Sequence, residues 1–399
     1  MGVVSSLLPV DDALAAILAR AERLPLERVQ LPQAAGRVLA EAAVSGVDLP
    51  PFPSSSMDGF AVRAVDTPGT LRVVGKVAAG RPEMRVLGAG EAIDISTGGV
   101  VPEGADAVVP VEHTIAADGA VEIPETVAHG ANVRERGGDV RAGATVHEEG
   151  TRLTPARVAA LAACGIGEVV VARRPRVAIV ATGTELRQPG EELEAGQIYE
   201  SNGVMLEAAF LAAGAEVERL GVAEDTEEAL ESLLTYALAG DVVVTSGGVS
   251  VGPHDLVRCV LATLDVEEVF WGVAMRPGKP LAFGTRGRTL VFGLPGNPVS
   301  SLVGGLLFVR PALLALQGDP HPEPGFRPGT LAREVRARPE RDDFVRATVS
   351  WREDGPELDP ILGQESHMIV HTAAADALVH VPRGDAPLPA GSRVRFLWL

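Results

Sequence analysis

Three β-branched runs in the middle of the chain each end in a glycine-rich turn that leads into an apolar helical pattern. The turns read TGTE at residues 182–185, TSGGVSVG at 245–252 and LPGNP at 294–298. Strand and helix patterns alternate throughout residues 176–320, which predicts right-handed βαβ units and a doubly wound parallel sheet with helices on both faces. Because ligands bind beyond the carboxyl ends of the strands in such sheets, these turns are the predicted binding site.

The composition of these turns is typical of an anion-binding site. Turns with little side-chain bulk let backbone N–H groups and helix N-termini face a phosphate or another oxyanion. The residues expected to line the site through these turns are Thr182, Gly183, Ser246, Gly247, Gly248, Ser250, Pro295, Gly296 and Asn297.

Charged side chains in the same segment supply partners for an anion and for a divalent cation. Glu185, Asp225 and Asp255 each follow a predicted strand end, so their carboxylates are expected to converge as they would around Mg²⁺. The alternative is that Asp225 and Asp255 only cap the helices that follow them. Lys279 in RPGKP, with Arg276 three residues earlier, is expected to contact the anion. The alternative is that Lys279 is simply solvated.

The segments outside this α/β region have different patterns. Short valine-rich runs at roughly ten-residue spacing in residues 60–150 predict a small all-β unit. Asp11 and Asp12 predict an N-capped helix over residues 10–23, and a second helix is predicted with Thr154 as its cap, Pro155 at its first position and Gly165 at its end. After residue 320, short strands predict a final β domain.

Three further patterns allow two interpretations each. Asp58 in SSSMDGF could bind a ligand or form a hairpin turn with Gly59, and Thr97 in STGG could contact a phosphate or lie in an ordinary bend. His367 and His371 have the spacing of zinc ligands on a helix, but HMIVH lacks the glutamate of an HExxH motif.

Composition excludes several classes of function. The net charge of −18 argues against an extended nucleic-acid-binding surface, and two cysteines without a CxxC partner give neither a disulfide framework nor a cysteine metal site. No signal-type segment opens the chain and no run approaches the 18 to 20 apolar residues, roughly, that a membrane span needs. We therefore expect a soluble, cytoplasmic protein.

Taken together, seven motifs in order resemble the MoeA family of molybdopterin molybdenumtransferases. They are SSSMDGFAVRA, STGGVVPEGADAVVPVE, GANVRERGGDVRAGATV, TGTEL, TSGGVSVGPHD, MRPGKPLAFG and LPGNPVSS. The chain departs from the usual family residues at Gly99, Val100, Pro253, His254 and Glu365. The resemblance implies four domains in an elongated homodimer: a discontinuous domain I (1–44 and 141–175), an inserted β domain II (45–140), the α/β molybdopterin-binding domain III (176–320) and a C-terminal β-barrel-like domain IV (321–399).

The resemblance also implies a reaction. The family inserts molybdenum from molybdate into adenylylated molybdopterin, releases AMP and depends on Mg²⁺. Carried onto this sequence, the catalytic residues are Asp58, Glu185, Asp225, Asp255 and Lys279, of which Glu185, Asp225 and Asp255 serve the metal. Thr97, Asp139, Arg346 and Ser366 match further substrate-binding positions, and Asp58 and Thr97 match loops that face the cleft from the second subunit. A molybdopterin adenylyltransferase and apo-molybdoenzymes are the implied partners.

Two other functions are compatible with the same central domain. A hydrolase of CinA-like type would cleave a free nucleotide without molybdate. A scaffold of the gephyrin E-domain type would bind peptides at the dimer through an exposed apolar groove, which the sequence does not reveal.

Overall fold

A computed structural model describes residues 7–223, 226–247 and 256–399. The described residues form two compact units. The larger unit contains those of Met1–Glu27, Gly36–Val38 and Val171–Leu399, and the smaller unit contains Arg28–Ala35 and Leu39–Val170.

The elements are numbered along the chain. Up to residue 172 they are α1 (Val10–Leu18), β1 (Leu26–Gln30), α2 (Leu31–Ala34), β2 (Ala43–Val44), β3 (Ser54–Ser55), β4 (Gly59–Val62), β5 (Gly69–Val77), β6 (Glu91–Ile95), β7 (Ala107–Pro110), β8 (Ile115–Ala117), β9 (Ala120–Ile123), β10 (Val133–Arg134), β11 (Thr145–His147), α3 (Pro155–Ala163) and β12 (Glu168–Ala172). The α/β region contains β13 (Arg176–Thr182), β14 (Leu186–Arg187), β15 (Ile198–Tyr199), α4 (Asn202–Ala212), β16 (Glu216–Ala223), α5 (Glu227–Ala237), β17 (Val242–Ser246), α6 (Leu256–Thr263), β18 (Glu267–Trp271), β19 (Met275–Arg276), β20 (Ala282–Arg286), β21 (Thr289–Leu294), α7 (Pro298–Gly304) and α8 (Arg310–Leu316). The C-terminal region contains β22 (Arg327–Leu331), β23 (Asp342–Arg352), β24 (Gly355–Pro360), α9 (Ile369–Thr372), β25 (Ala377–Val381) and β26 (Arg393–Trp398).

The smaller unit is built on a six-stranded sheet with the order β7-β4-β6-β5-β9-β8. Alternate residues of β4 face two different cores, because Phe60 and Val62 pack with Leu71 and Ile123 while Ala61 packs with the group that includes Ile93. This two-sided burial follows from the period of two in a strand. The prediction of a small all-β unit is confirmed.

The two helices predicted outside the α/β region have different outcomes. The prediction for α3 is confirmed: Pro155 is its first residue, the Thr154 hydroxyl accepts a hydrogen bond from Arg157 N, and Gly165 follows with φ +78°. The prediction for α1 is wrong in detail, because it ends at Leu18 and its N-cap is Pro9, without a side-chain cap. Asp11 and Asp12 lie in the first turn instead, where a carboxylate stabilises the helix through the helix dipole.

The central sheet of the larger unit has the order β16-β13-β17-β21-β20-β18. The first four strands are parallel, which confirms the predicted βαβ arrangement. The last two correct it: β20 pairs antiparallel with β21, and β18 pairs antiparallel with β20. A short turn joins β20 to β21, and a turn of this length can only connect antiparallel neighbours.

Helices cover both faces of this sheet, as predicted. On one face, Leu206 of α4 and Val303 of α7 pack on Val177 and Val244, in the same core that includes Ile17 of α1. On the other face, α5 and α6 pack on the alternate strand residues, which include Val180 and Val243. The strands are therefore buried on both sides, which explains why they read as continuous apolar runs.

An ion pair fixes the amino-terminal edge of the sheet. Both carboxylate oxygens of Asp241 accept hydrogen bonds of 2.6 Å from the Arg173 guanidinium, and one also accepts from Arg176 N at 2.8 Å. Burial alone would raise the pKa of Asp241, but these hydrogen bonds and the two arginine charges lower it below its ordinary value of 3.8. The ionised form of Asp241 is therefore the form that stabilises the fold.

We expect Asp241→Asn to lower the free energy of unfolding by about 2 kcal/mol at neutral pH, because it breaks a charge-assisted pair. Since the folded pKa lies below the unfolded one, this stabilisation is present above the unfolded pKa of Asp241. It is lost as pH falls through the lower, folded pKa. Urea unfolding over a pH series checks this, with the exposed Asp385→Asn as the control. An Asp241→Asn deficit that does not shrink in acid would contradict the assignment.

The C-terminal strands form a closed five-stranded barrel. Strands β23, β24, β22, β26 and β25 follow one another around it, and β25 pairs back onto β23. Strand β19 joins the barrel to the α/β region, because Met275 and Arg276 pair with Asp342 and Asp343 of β23. Phe344, Leu378 and Leu397 of the barrel belong to the same core as α4 and α7. This confirms the predicted β-barrel-like C-terminal domain.

One helical stretch passes the length and composition test for a membrane span. Among the described residues, Pro298–Leu316 contains an 18-residue window with a mean hydropathy of 1.8, although Ser300, Ser301 and Arg310 interrupt its apolar residues. However, 78% of the stretch is buried inside the protein, as expected for the central helix of a core. It consists of α7, a π-helical turn at Gly305–Val309 and α8.

Candidate functional site

Three turns meet at the carboxyl edge of the central sheet. They follow β13, β17 and β21, which are neighbours in the sheet. Gly247 N donates to Leu294 O at 3.1 Å, and a Cβ added to Gly296 would lie 3.7 Å from Gly247 Cα. A Cβ on Gly247 would lie 2.8 Å from Thr182 O. The predicted convergence of the turns is therefore confirmed.

Two of the glycines in these turns have conformations that other residues rarely adopt. Gly183 has φ +146° and Gly247 has φ +92°. At Gly247 the close neighbour is the backbone of Thr182, which cannot rotate away as a side chain can. A side chain at this position would meet both backbone strain and a steric clash.

The turns and the two helices that follow them enclose a cleft of about 510 Å³. Its wall contains Thr182, Glu185, Leu186, Ile198, Tyr199, Glu200, Ser201, Asn202, Ser246, Gly247, Pro280, Pro295, Gly296, Asn297 and Pro298. Helices α4 and α7 begin in this wall, and neither N-cap, Ser201 or Asn297, makes a side-chain cap hydrogen bond. Other groups cap the first turns of both helices, because Gly203 N donates to Glu200 Oε1 at 2.6 Å and Val299 N donates to Ser366 O at 3.0 Å.

Asn202 ties two of the turns together, a role that its sequence pattern does not indicate. Its Nδ2 donates to Ser246 Oγ and to Gly296 O, both at 2.8 Å, while its Oδ1 is buried without a hydrogen-bond partner. A single asparagine at the start of a helix gives a signal that cannot be distinguished from ordinary helix capping. The buried amide therefore holds the TSGG and LPGN turns at a fixed separation.

We expect Asn202→Ala to lower both stability and turnover. Losing the amide leaves two buried acceptors unpaired, at a cost of about 1–3 kcal/mol. The two turns are then no longer held at a fixed separation. Gln317→Ala is a matched control, since the buried Gln317 amide donates to Ala213 O and Leu313 O and is absent from the cleft wall. Urea unfolding should show similar losses for both variants, whereas kcat/KM should fall only for Asn202→Ala. An equal fall in both would contradict the positioning role.

The predicted metal ligands are only partly placed by the structure. Glu185 lies in the cleft wall with its carboxylate over Gly183, where a Cβ on that glycine would approach it to 2.7 Å. Asp225 and Asp255, like Gly248 and Ser250, lie outside the described residues, so the convergence of the three carboxylates stays a prediction. Within the described ranges, no group of three or more His, Cys, Asp or Glu side chains is poised to hold a metal.

Glu200 is a second carboxylate in the wall, and its sequence pattern does not indicate this position. It is buried, with 4% of its surface exposed, and it accepts a hydrogen bond of 2.6 Å from Gly203 N in the first turn of α4. This bond anchors the start of the helix, which is a structural task. Glu185 is more exposed than Glu200 and is the better candidate for a ligand of Mg²⁺.

The RPGKP turn lies beside the cleft, because Pro280 is part of the wall and Lys279 precedes it. Lys279 is exposed, and Gly278 before it has φ +103°, with Met275 Cε 2.5 Å from where a Cβ would be. Arg276 reaches Asp343 of the barrel, with Nη1 3.9 Å from Oδ2. The turn is thus held by both the sheet and the barrel, and Lys279 is available to an anion.

Arg346 has a structural environment that its sequence pattern did not indicate. Only 1% of it is exposed, and its guanidinium donates to Gln364 Oε1, Glu365 O, Thr372 Oγ1 and Gly363 O. Burial without a carboxylate partner lowers the pKa of Arg346 from its ordinary value. The arginine organises the loop that carries Ser366, whose carbonyl accepts from Val299 N of α7 at 3.0 Å. Direct contact of Arg346 or Ser366 with substrate stays a prediction.

In the smaller unit, Asp58 and Thr97 lie together. Asp58 Oδ1 accepts a hydrogen bond of 2.7 Å from Thr97 N. The hairpin alternative for Asp58-Gly59 is wrong, because β3 pairs with β10 while β4 pairs with β6 and β7. Gly59 is instead required by close packing, since a Cβ there would lie 1.9 Å from Val109 O. Asp139 N donates to Leu49 O at 2.9 Å, and its role at the site stays a prediction.

The two histidines of HMIVH are not arranged on one helix. Helix α9 begins at Ile369, so His367 precedes it, and His371 Nδ1 lies 3.4 Å from Leu362 O. The spacing of the pair therefore does not place both rings on one helical face.

Three family models together match nearly all of the chain. The model for the MoeA N-terminal region (domain I and II) matches residues 8–165, a probable molybdopterin binding domain matches 178–315, and the MoeA C-terminal region (domain IV) matches 328–399. The second of these covers the three turns and the cleft.

Proteins of known name and structure are similar over almost their whole length. Molybdopterin molybdenumtransferase 2 of Mycobacterium tuberculosis is 37% identical over 385 residues, which cover 92% of this chain and 93% of the relative. Molybdopterin molybdenumtransferase of Haemophilus influenzae is 35% identical over 398 residues, or 97% and 98% of the two chains. A crystal structure of the molybdopterin biosynthesis MoeA protein from Pyrococcus horikoshii has a TM-score of 0.84 at 30% identity and covers 99% of this chain and 100% of that one.

Proposed function

The chain belongs to the molybdopterin molybdenumtransferase family and is a transferase of molybdenum cofactor biosynthesis, and on this premise we propose that it moves molybdenum from molybdate onto adenylylated molybdopterin at the three-turn cleft, releasing AMP. The observation that carries the proposal is the convergence of the three turns around one cleft, with Thr182, Gly247 and Gly296 in its wall. Such a cleft suits a substrate with a phosphoanhydride, because backbone N–H groups of glycine-rich turns hold phosphate oxygens without bulky side chains.

Lys279 and Arg276 are the residues proposed to bind molybdate. Molybdate is a hard dianion, and cationic donors beside backbone N–H groups bind such anions well. The soft sulfur ligands come from the dithiolene of the substrate, so the enzyme needs no cysteine cluster of its own. The two cysteines of the chain, the buried Cys164 and the exposed Cys259, are free thiols.

Mg²⁺ is the proposed cofactor, held by Glu185 together with Asp225 and Asp255. The fit rests on Glu185, whose carboxylate lies in the cleft wall above a glycine that leaves room for it. When bound, Mg²⁺ neutralises charge on phosphate oxygens and eases departure of AMP. The residues of the chain have the tasks of orienting the anhydride and excluding water.

We also propose that the protein works in the cytoplasm as a homodimer. In this arrangement Asp58 and Thr97 of one subunit complete the cleft of the other, and Asp139 is a further substrate-binding residue. An adenylyltransferase and apo-molybdoenzymes are the partners of the dimer before and after the reaction. Mixing Asp58→Ala subunits with Glu185→Gln subunits tests the shared cleft. Activity should return in the mixture if each mixed dimer contains one intact site, and no recovery would contradict the shared cleft.

A reconstituted reaction tests the proposed function. Purified protein is mixed with Mg²⁺, molybdate and adenylylated molybdopterin, and AMP release is measured together with activation of an apo-molybdoenzyme. We expect both, and both should depend on molybdate. AMP release without cofactor formation would indicate a nucleotide hydrolase, and the absence of both would favour a scaffold.

A further inference from the structure

Asp343 lies beside Arg276 where the α/β region meets the barrel. Strands β19 and β23 pair in parallel, and Arg276 is the register partner of Asp343. Register partners on neighbouring strands point to the same face of a sheet, so the two side chains lie side by side. The Asp343 side chain is 7% exposed and that of Arg276 is 39% exposed. The carboxylate is therefore buried next to a guanidinium that is partly open to solvent.

The carboxylate of Asp343 can accept more hydrogen bonds than it does. Its Oδ2 accepts from Arg338 Nε at 2.9 Å, whereas Arg276 Nη1 lies 3.9 Å from the same oxygen, too far for a hydrogen bond. Its Oδ1 is buried and has no hydrogen-bond partner among the described residues. An unpaired buried carboxylate oxygen is costly, so a fold retains one only where something else is gained. The ion pair with Arg276 also uses none of the guanidinium N–H donors in a hydrogen bond with Asp343.

Arg276 lies among other positive charges. Arg338 binds the same carboxylate, and Lys279 follows three residues later in the same turn. The buried Arg346 is also close enough to interact with Arg276: burial is the main cause that lowers the pKa of Arg346, Glu365 opposes this, and the charge of Arg276 lowers the pKa further. Repulsion between these cations favours movement of the Arg276 side chain out into solvent. Asp343 supplies a buried negative charge that opposes this movement.

Building on the proposed function, we propose that Asp343 is a positioning residue that holds Arg276 beside Lys279 for molybdate. It acts on molybdate through Arg276. Two cations then face the dianion, and the guanidinium keeps its N–H donors for molybdate oxygens. Without the charge of Asp343, Arg276 moves away from Lys279. Molybdate binding is then weaker, while the rate of the reaction in the loaded enzyme is unchanged.

The test removes the charge of Asp343 in the full-length protein. Calorimetry measures the Kd of molybdate, and steady-state assays give kcat and the KM for molybdate. We expect Asp343→Asn to raise Kd and KM about tenfold, as does the loss of a group that orients the ligand of a bound ion. The kcat at saturating molybdate should stay unchanged.

Two control variants account for loss of stability and for loss of charge. Arg338→Gln removes the hydrogen-bond partner of Asp343 but leaves its charge beside Arg276. It should lower the free energy of unfolding without raising the Kd of molybdate. Asp359→Asn removes a carboxylate that pairs with Arg333 elsewhere in the barrel, and it too should leave the Kd unchanged. A rise in either control equal to that of Asp343→Asn would overturn the proposal.

A double-mutant cycle separates positioning from a purely structural role. In an Arg276→Gln background, Asp343→Asn should no longer change the Kd of molybdate, because the group through which it acts is absent. A rise that persists in this background would overturn the proposal, and so would an unchanged Kd in a folded Asp343→Asn protein.

Asp343→Glu replaces Asp343→Asn if the latter does not fold. It keeps the charge but displaces it by one methylene, so it should raise the Kd by less, and this rise should also vanish with Arg276→Gln. No rise, or one that persists in that background, would overturn the proposal. Failure of the proposed function has a different signature, namely molybdate binding by the unmodified protein without molybdate-dependent AMP release.

Discussion

Replacing Gly247 by alanine lowers the rate of molybdenum transfer about 100-fold, the effect of moving reacting groups by about an ångström. Gly247 has φ +92°, and the new Cβ would lie 2.8 Å from Thr182 O and 2.9 Å from Thr182 Oγ1. The end of β13 at Thr182 and the turn at Gly247 cannot relieve this contact unless one of them moves. Because Gly247 also donates to Leu294 O, the displacement reaches all three turns.

Gly190→Ala is the matched control for this variant. Gly190 has φ +99°, but a Cβ there would meet nothing within 4 Å. Both substitutions place alanine in a left-handed conformation, at a cost of about 1–2 kcal/mol, so the two should share that loss of stability. Only Gly247→Ala should lose transfer activity as well. Full activity in a folded Gly247→Ala protein would show that the spacing of the turns does not matter for the reaction.

Replacing Glu185 by glutamine should produce the second large effect. The side chain keeps its shape but loses the negative charge that makes it a good ligand for a hard cation. We expect the rate of AMP release at saturating substrate to fall about 10- to 100-fold, with a matching rise in the Mg²⁺ concentration needed for half-maximal rate. Removing Mg²⁺ with a chelator should lower the unmodified enzyme to the level of the variant.

The control for this prediction is Glu192→Gln, seven residues further along and exposed outside the cleft wall. It removes the same charge from the same segment, so any long-range electrostatic effect should appear in both variants. A Glu185→Gln enzyme that needs no more Mg²⁺ than the unmodified enzyme would contradict the assignment of Glu185 to the metal.

The parallel part of the fold was predictable because its sequence signals are local and strong. The apolar strands β13, β17 and β21 each run directly into a glycine-rich turn, and in a parallel sheet that order fixes which edge the turns share. The antiparallel strands β18 and β20 were not predicted, since their segments carry tryptophan, phenylalanine and glycine without a clear alternation. Their direction is set by the short connection to β21 and by packing, and neither can be predicted from the hydrophobic periodicity of the sequence.

The candidate site was predictable where glycines mark it and unpredictable where single polar residues hold it. Gly183, Gly247 and Gly296 were identified from the turns, and the structure explains the first two through positive φ. Asn202 was missed because its contacts join residues 44 and 94 positions away in the chain. Arg346 was identified, but its burial depends on the closure of the barrel, which no local pattern contains.

The measurement that tests the central claim most directly is the amount of AMP released for each molybdenum incorporated in a single turnover. Enzyme in excess over adenylylated molybdopterin is mixed with Mg²⁺, with and without molybdate, and AMP and cofactor-bound molybdenum are counted in the same sample. If the three-turn cleft couples cleavage of the anhydride to metal transfer, one AMP should appear per molybdenum and almost none without molybdate. AMP released at the same rate in the absence of molybdate would contradict the account and identify the cleft as a hydrolytic site.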